Sequence, residues 1–259
     1  MERMIRRLKV NALLFVGLFI ATLICAAIFN EEILHYELPK IKSSQPEKIV
    51  THIGYTVSFN TNWKIPNWVA YELTSEEVQG VEPRDSNFLP DPKIKESPST
   101  DDYENSGYDR GHMAPAADMK WSKQAMTESF YTSNICPQNN NLNKGIWKYL
   151  EEHIRSVTTK YDHIYIACGP IVSLTPKTIA HNTISVPDAF FKVILRQKED
   201  SWSAIGFMMP NQAEHKPLNK YAMSIDDIEI ITDIDFFVDL PDSIENKIEA
   251  TYNLSDWDL

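Results

Sequence analysis

Ile146, Trp147, Leu150, Ile154 and Val157 recur at helical spacing, so one segment carries a continuous apolar face that must be laid on something larger than itself. The other apolar runs are short and extended in character. Residues 55–59 and 68–73 precede this helix, and residues 164–167 follow it and stop at Gly169-Pro170. Residues 189–195 and 202–208 flank a turn at 197–201, the pattern of a hairpin in a central sheet. Ser224-Ile225-Asp226-Asp227 has the form of a capping box opening a helix through Ile230. Strands grouped before and after a helix, without regular alternation or internal repeats, predict an α+β fold with a central antiparallel sheet and a loop and helix to one side.

The N-terminus is of a different kind. Residues 1–9 carry Arg3, Arg6, Arg7 and Lys9 against Glu2 alone, and within residues 10–29 the apolar stretch from Ala12 to Phe29 is interrupted by nothing more polar than Thr22 and Cys25. Such a stretch is long enough to span a bilayer as a signal anchor. Ala26 and Ala27 also suit the end of a cleaved signal peptide. Either reading predicts an extracytoplasmic domain, with membrane contact through this helix if it is uncleaved; the Arg-rich start also permits mitochondrial import. Residues 30–49, with Pro39 and Pro46 among Lys, Ser and Gln, have the composition of a linker, and one folded domain is expected over residues 50–259. Within it, residues 92–106, rich in Asp, Ser, Pro and Lys, are expected to form an exposed loop. Outside the apolar segment the cysteines are Cys136 and Cys168, and a bridge and two buried thiols are both compatible with the sequence.

The net charge of −11 argues against a broadly basic nucleic-acid binder. Its distribution weakens that argument. Residues 224–259 hold eleven Asp or Glu against Lys247 alone, so most of the excess acid sits at the C-terminus. Residues 103–155 hold six basic and six acidic side chains and are locally neutral, without an identifiable Lys/Arg-rich face.

That neutral segment is where reactive residue types concentrate: Asp109-Arg110-Gly111-His112, then Asn134, Asn143, Glu151 and Arg155. Each has a bland reading by itself; Glu151 and Arg155, for instance, have the spacing of an ordinary helical ion pair. As a set they supply what phosphodiester hydrolysis requires: a base, a site for a cation, and groups that bind phosphate. His112 is the expected general base because imidazole ordinarily titrates near neutral pH. Asn143 offers a neutral amide oxygen suited to Mg²⁺. Glu151 lies eight residues further on, about 12 Å along a helix axis, which favours contact with a metal ion through water over a shared direct ligand position. Asn134 has two readings, support for the histidine or substrate and a turn residue before Pro137-Gln138. Asp109 can orient the imidazole or secure local backbone, the second being preferred.

The spaced pattern Tyr108-Asp109-Arg110-Gly111-His112-Met113-Ala114-Pro115-Ala116-Ala117-Asp118, Ser133-Asn134-Ile135-Cys136-Pro137-Gln138 and Asn143 through Trp147 to Leu150-Glu151 resembles the DNA/RNA non-specific endonucleases. Trp68-Val69-Ala70-Tyr71, Gly169-Pro170, Met209-Pro210-Asn211 and Asp235-Phe236-Phe237 extend the resemblance over roughly residues 50–250. The resemblance implies a ββα-metal nuclease fold and metal-dependent hydrolysis of DNA and RNA to 5′-phosphate ends. Asn143 would be the sole direct protein ligand to Mg²⁺, Mn²⁺ or another hard divalent ion. Arg110 and Arg155 would clamp phosphate, with Arg84 as a further phosphate-binding arginine. Catalysis is then assigned to His112, Arg110, Glu151 and Asn134. A homodimer is compatible with this reading. The rivals are a membrane-associated phosphodiesterase acting on small substrates and a catalytically silent nucleic-acid-binding module.

Overall fold

Val69, Tyr71 and Leu73 face one side of a strand while Trp68 and Ala70 face the other, and all five are buried, so the sheet that contains them is covered on both faces. This is seen in a computed structural model that describes residues 34–181, 183–199, 201–214 and 216–259. The first half of the chain forms strands β1 (Lys40–Ile41), β2 (Lys48–Thr51), β3 (Thr56–Asn60), β4 (Ile65–Thr74), β5 (Asp109–His112) and β6 (Ile135–Gln138). Then follow β7 (His163–Ile171), β8 (Lys177–Ile179), β9 (Ile184–Val186), β10 (Ala189–Lys198), β11 (Ser201–Pro210), β12 (Ala222–Met223) and β13 (Ile234–Asp235). The helices are α1 (Lys123–Ser129), α2 (Asn140–Lys144), α3 (Ile146–Thr158), α4 (Ile225–Thr232) and α5 (Asp242–Glu249).

Seven strands form one antiparallel sheet in the order β12-β11-β10-β7-β4-β3-β2. The expected hairpin is β10–β11, in register from Ala189 opposite Pro210 to Lys198 opposite Ser201. The helix predicted from apolar spacing is α3, which buries Trp147, Leu150, Ile154 and Val157 in the same core as Val69, Tyr71, Leu73, Phe190 and Ile194. On the other face of the sheet, Trp68, Ala70, Phe191, Val193 and Leu195 pack with Ile225 and Ile228 of α4, Ile248 of α5, and Phe236 and Phe237. The molecule is therefore α+β with a central antiparallel sheet, and the residue parity of each strand decides which layer a side chain joins.

Three local expectations meet a more ordered chain. The Ser224 hydroxyl accepts from the Asp227 amide and starts α4 as expected, and the helix continues to Thr232 before Asp233 ends it in the left-handed conformation. The polar stretch read as an exposed loop is pinned by buried Ile94 and Tyr103, and the Tyr103 hydroxyl donates to the Ile135 carbonyl at 3.2 Å. The segment read as a linker also takes part in the fold. Its β1 pairs with β13, Lys42 bridges Glu229 and Asp235 at 2.9 Å each, and Tyr36 stacks edge-on against Tyr165 and Trp202. The compact unit accordingly begins at Tyr36, ahead of the expected Val50. Short contacts of this kind carry no periodicity, and composition alone hid them.

Cys136 and Cys168 are buried free thiols, which settles the open alternative against a bridge. The Cys168 thiol donates to the Met113 carbonyl at 3.2 Å. The expected membrane segment, residues 10–29, lies outside the described residues; among the described residues no helix is long and apolar enough to cross a membrane.

The weight carried by α3 is measurable. Trp147→Ala should lower the unfolding free energy by about 4 kcal/mol in denaturant titrations. Tyr149→Ala, at a side chain half exposed on the same helix, should change it by less than about 0.5 kcal/mol.

Candidate active site

Two short strands and a broken helix assemble the site. β5 and β6 pair antiparallel, with Asp109 opposite Gln138 and His112 opposite Ile135. The Asn139 side chain caps α2 by accepting from the Asn141 and Leu142 amides. Asn211 holds the turn in front of that cap: its side chain accepts from the Asn139 amide at 2.7 Å and donates to the Pro137 and Pro187 carbonyls. Gly145 separates α2 from α3. A Cβ there would stand 2.3 Å from the Asn141 carbonyl oxygen, so the sharp change of direction requires glycine. As a result Asn143 of α2 and Glu151 and Arg155 of α3 line the same cleft of about 310 Å³, together with His112, Arg84, Lys144 and Lys148.

His112 ends β5, 9% exposed, with Phe130 edge-on at 4.8 Å and Phe88 at 5.3 Å. Its Nε2 is buried without a hydrogen-bond partner. Burial, and next the nearby Arg84 charge, push its pKa down to about 3, so the imidazole is neutral at any physiological pH. Arg84 lies over the Phe130 ring at 5.1 Å and reaches the cleft. Arg110 packs over the Phe88 ring at 4.6 Å and is not among the cleft-lining residues. The neutral imidazole thus sits in an aromatic cluster with Phe88 and Phe130, whose rings also meet edge-on at 5.0 Å, and Arg84 and Arg110 lie over Phe130 and Phe88 respectively.

Asn134 does not line the cleft either. Fully buried, its amide donates to the Ala114 and Ser129 carbonyls and accepts from the Ala114 amide, while its own carbonyl accepts from Met113. It fixes the backbone that leaves His112 and makes no contact with the ring. Asp109 secures side chains rather than imidazole or backbone: it accepts from Asn140 Nδ2 and, at 2.9 Å, from Asn143 Nδ2. Because a carboxylate must accept, this bond turns the Asn143 amide nitrogen toward Asp109 and leaves Oδ1 free for a different partner.

Behind the cleft lies a layer of buried charge. Arg155 Nη1 donates to Asp118 Oδ1 at 2.6 Å, and the Tyr71 hydroxyl of β4 donates to Asp118 Oδ2 at 2.9 Å. Asp118 is 1% exposed; burial pushes its carboxyl up, with Arg155 and Tyr71 opposing. Lys192, fully buried on β10, donates to the Met113 carbonyl at 3.3 Å and stands 4.8 Å over Trp147. Burial pushes half-buried Glu151 up to about 7; Lys192 opposes this, Asp118 adds to it, and Arg155 and Arg84 oppose it. Sequence reasoning gave no role to Asp118, Lys192, Lys144 or Lys148. For Lys192 there was a signal, a lysine in the middle of the apolar run Phe190-Phe191-Lys192-Val193-Ile194; for Asp118 the signal was its place at the end of the His112 motif.

Residues 37–243 match the family model described as DNA/RNA non-specific endonuclease. The chain belongs to the DNA/RNA non-specific endonuclease family. It is 35% identical over 205 residues to the "Nuclease EXOG, mitochondrial" of Danio rerio, covering 72% of this chain and 60% of that protein's length. With the "Nuclease C1" of Cunninghamella echinulata var. echinulata it shares 34% identity over 202 residues, 71% of this chain and 80% of the relative. With the human "Endonuclease G, mitochondrial" it shares 30% over 216 residues, 76% and 70% of the two chains. A solved EndoG/EndoGI complex, concerned with the mechanism of EndoG inhibition, contains a chain that superposes with a TM-score of 0.75 at 28% identity, covering 82% of this chain and 93% of that one.

These relatives correct the extracytoplasmic placement inferred from the N-terminal segment. The Danio rerio and human proteins are named as mitochondrial. An Arg-rich apolar start does not discriminate between export and import, which is why the inference failed. The membrane contact that went with that placement, and the homodimer that the family resemblance allowed, find no support among the described residues.

The elevated Glu151 has a consequence for stability. Its folded pKa of about 7 lies above the ordinary value of 4.5, so the fold favours the protonated form, and this contribution is lost as pH rises from 4.5 through 7. In chelator at pH 8, Glu151→Gln should therefore be more stable than the parent chain by about 2 kcal/mol, with the gain vanishing by pH 4. Paired denaturant titrations at the two pH values measure it.

Proposed function

We propose that this protein is a metal-dependent endonuclease, indifferent to base sequence and to sugar, that hydrolyses phosphodiester bonds of DNA and RNA and leaves 5′-phosphate ends. The observation that carries the reading is the convergence of His112, Asn143, Glu151, Arg155 and Arg84 on one cleft. In this reading β5, β6 and α3 are the ββα unit of a metal-dependent nuclease.

The donor set fits a sparingly held hard cation. No group of three or more His, Cys, Asp or Glu residues able to hold a metal occurs among the described residues, which disfavours a cage of the zinc type. Asn143 Oδ1, freed by the Asp109 bond, and the Glu151 carboxylate are the hard oxygens that would hold such an ion, Asn143 directly and Glu151 through water. When bound, Mg²⁺ or Mn²⁺ would neutralise charge that develops on the phosphate and on the leaving 3′ oxygen.

His112 takes a proton from the attacking water. A neutral imidazole is ready for this at any physiological pH, and its low intrinsic basicity rises when the anionic phosphate enters beside it. The hydroxyl oxygen bonds to phosphorus, the P–O3′ bond breaks, the departing 3′ oxygen takes a proton from solvent water and leaves as the 3′ hydroxyl, and His112 returns its proton to solvent. Arg155, held by Asp118, and Arg84, stacked on Phe130, present guanidinium groups to the phosphate oxygens. Arg110 supports the Phe88 side of the imidazole. Asn134 fixes the strand end. The side chains assigned here to face the substrate, Arg84, His112, Asn143, Glu151 and Arg155, address the phosphate, its ion or the reacting water, which supports tolerance of both sugars and all bases.

Purified full-length protein is expected to degrade supercoiled plasmid and total RNA with Mg²⁺ and to be silent in chelator. His112→Ala should reduce the rate by at least about 10²-fold. Wild-type protein that cuts neither polymer with any of several divalent ions would overturn the assignment.

Asp118→Asn keeps the side-chain shape and can still accept from Arg155 through its one oxygen, while its Nδ2 must donate to the Tyr71 hydroxyl, and the charge is removed. It is expected to lower kcat/KM on duplex DNA by roughly 10–100-fold, the worth of a charge-assisted bond. Introduced into Arg155→Ala it should cost little more, as the two act as one unit. Steady-state kinetics of the four proteins test this.

A further inference from the structure

We propose that Lys144 and Lys148 form a second phosphate subsite, which takes the backbone phosphate next to the scissile one on a nucleic-acid strand. The inference rests on the nuclease reading and extends it to how a strand lies in the cleft.

The cleft carries more positive charge than one phosphodiester can use. Arg84, Lys144, Lys148 and Arg155 all line it, with Glu151 as the acidic residue among the lining groups, whereas a single diester brings one negative charge. This surplus occurs in a chain of net charge −11, where it has to be built locally.

Position separates the four cations into two groups. Lys148, Glu151 and Arg155 fall at i, i+3 and i+7 on α3, a single stripe in which Lys148 and Arg155 are about 10 Å apart along the axis. Arg155 cannot slide toward Lys148 because Asp118 holds its guanidinium at 2.6 Å. Lys148 is thus placed for a phosphate other than the one that Arg155 binds. Lys144 reaches the same cleft from the end of α2, next to Asn143 and four residues before Lys148.

Both ammonium groups are weakly engaged. Lys148 stands 3.5 Å from Glu152, with both side chains more than half exposed. Lys144 stands 3.8 Å from an Asp109 oxygen that already accepts from Asn143. Exposed pairs at such distances contribute little and yield readily to an anion. Lysine also suits the task, since a flexible point charge can follow a backbone phosphate whose position changes between DNA and RNA, where a fixed guanidinium fork cannot.

The experiment uses the full chain, with wild type, the double variant Lys144→Gln/Lys148→Gln and the charge-preserving Lys144→Arg/Lys148→Arg. Each is assayed with Mg²⁺ on duplex DNA across a NaCl series, and on a single-phosphate chromogenic diester, thymidine 5′-(p-nitrophenyl phosphate). Loss of the one phosphate contact that the two lysines share should reduce the slope of log kcat/KM against log salt by roughly 0.9 in the glutamine variant. Its preference for polymer over the small diester should fall by about 10–100-fold, and the arginine variant should retain the wild-type slope. An unchanged salt slope overturns the subsite. So does an equal loss on polymer and small diester, which would put both lysines on the scissile phosphate. Failure of the nuclease reading itself looks different, because wild-type protein would then cleave neither substrate at any salt concentration.

Discussion

Burial of one helix face governs the rest of this structure. With Trp147, Leu150, Ile154 and Val157 inserted into the core on one side of the sheet, α3 cannot rotate without exposing large apolar side chains, each worth on the order of 2 kcal/mol or more. Its azimuth is therefore fixed by packing that has nothing to do with chemistry. The polar stripe of Lys148, Glu151 and Arg155 inherits that precision and meets His112 and Asn143 across the cleft. The break at Gly145 lets the same stretch of chain supply Asn143 from a different direction.

Between this core and the cleft the protein tolerates an expensive layer. Asp118 and Lys192 are almost completely removed from water, His112 is nearly so, and Glu151 is half-buried. Taking charge out of water costs several kcal/mol per group before compensation. The compensation is visible in the Arg155 and Tyr71 bonds to Asp118 and in the Lys192 bond to the Met113 carbonyl. It is incomplete at Glu151, held near 7, and at the unpartnered His112 Nε2. Such residual mismatch characterises sites that await a ligand, since an arriving cation or phosphate removes it.

Much of this was legible in the sequence because it is periodic or motif-like. The spacing that gave α3, the two apolar runs around a turn that gave β10 and β11, and the Ser224 cap are local signals, and each element formed where they pointed. Arg84, His112, Asn143, Glu151 and Arg155 also reach one cleft as their motif spacing implied. What escaped depends on long-range contact. Arg110 turned onto Phe88, whose place beside β5 no local rule gives. Lys144 and Lys148 were invisible because a linear count from 103 to 155 balances and says nothing about which side chains share a cleft. The ordering of residues 36–42 depends on β13, Tyr165 and Trp202, all more than a hundred residues away.

The C-terminal helices lie on the face of the sheet away from α3, and they carry Asp226, Asp227, Glu229, Asp242, Glu245 and Glu249. Among the described residues, cations line the cleft and acids lie on the far side of the sheet, an asymmetry of charge. A polyanion within a Debye length, about 8 Å at physiological salt, would be drawn to the cleft side and opposed on the acidic side. An acidic protein can in this way encounter an acidic polymer in the productive orientation, and its negative total charge becomes part of the aiming.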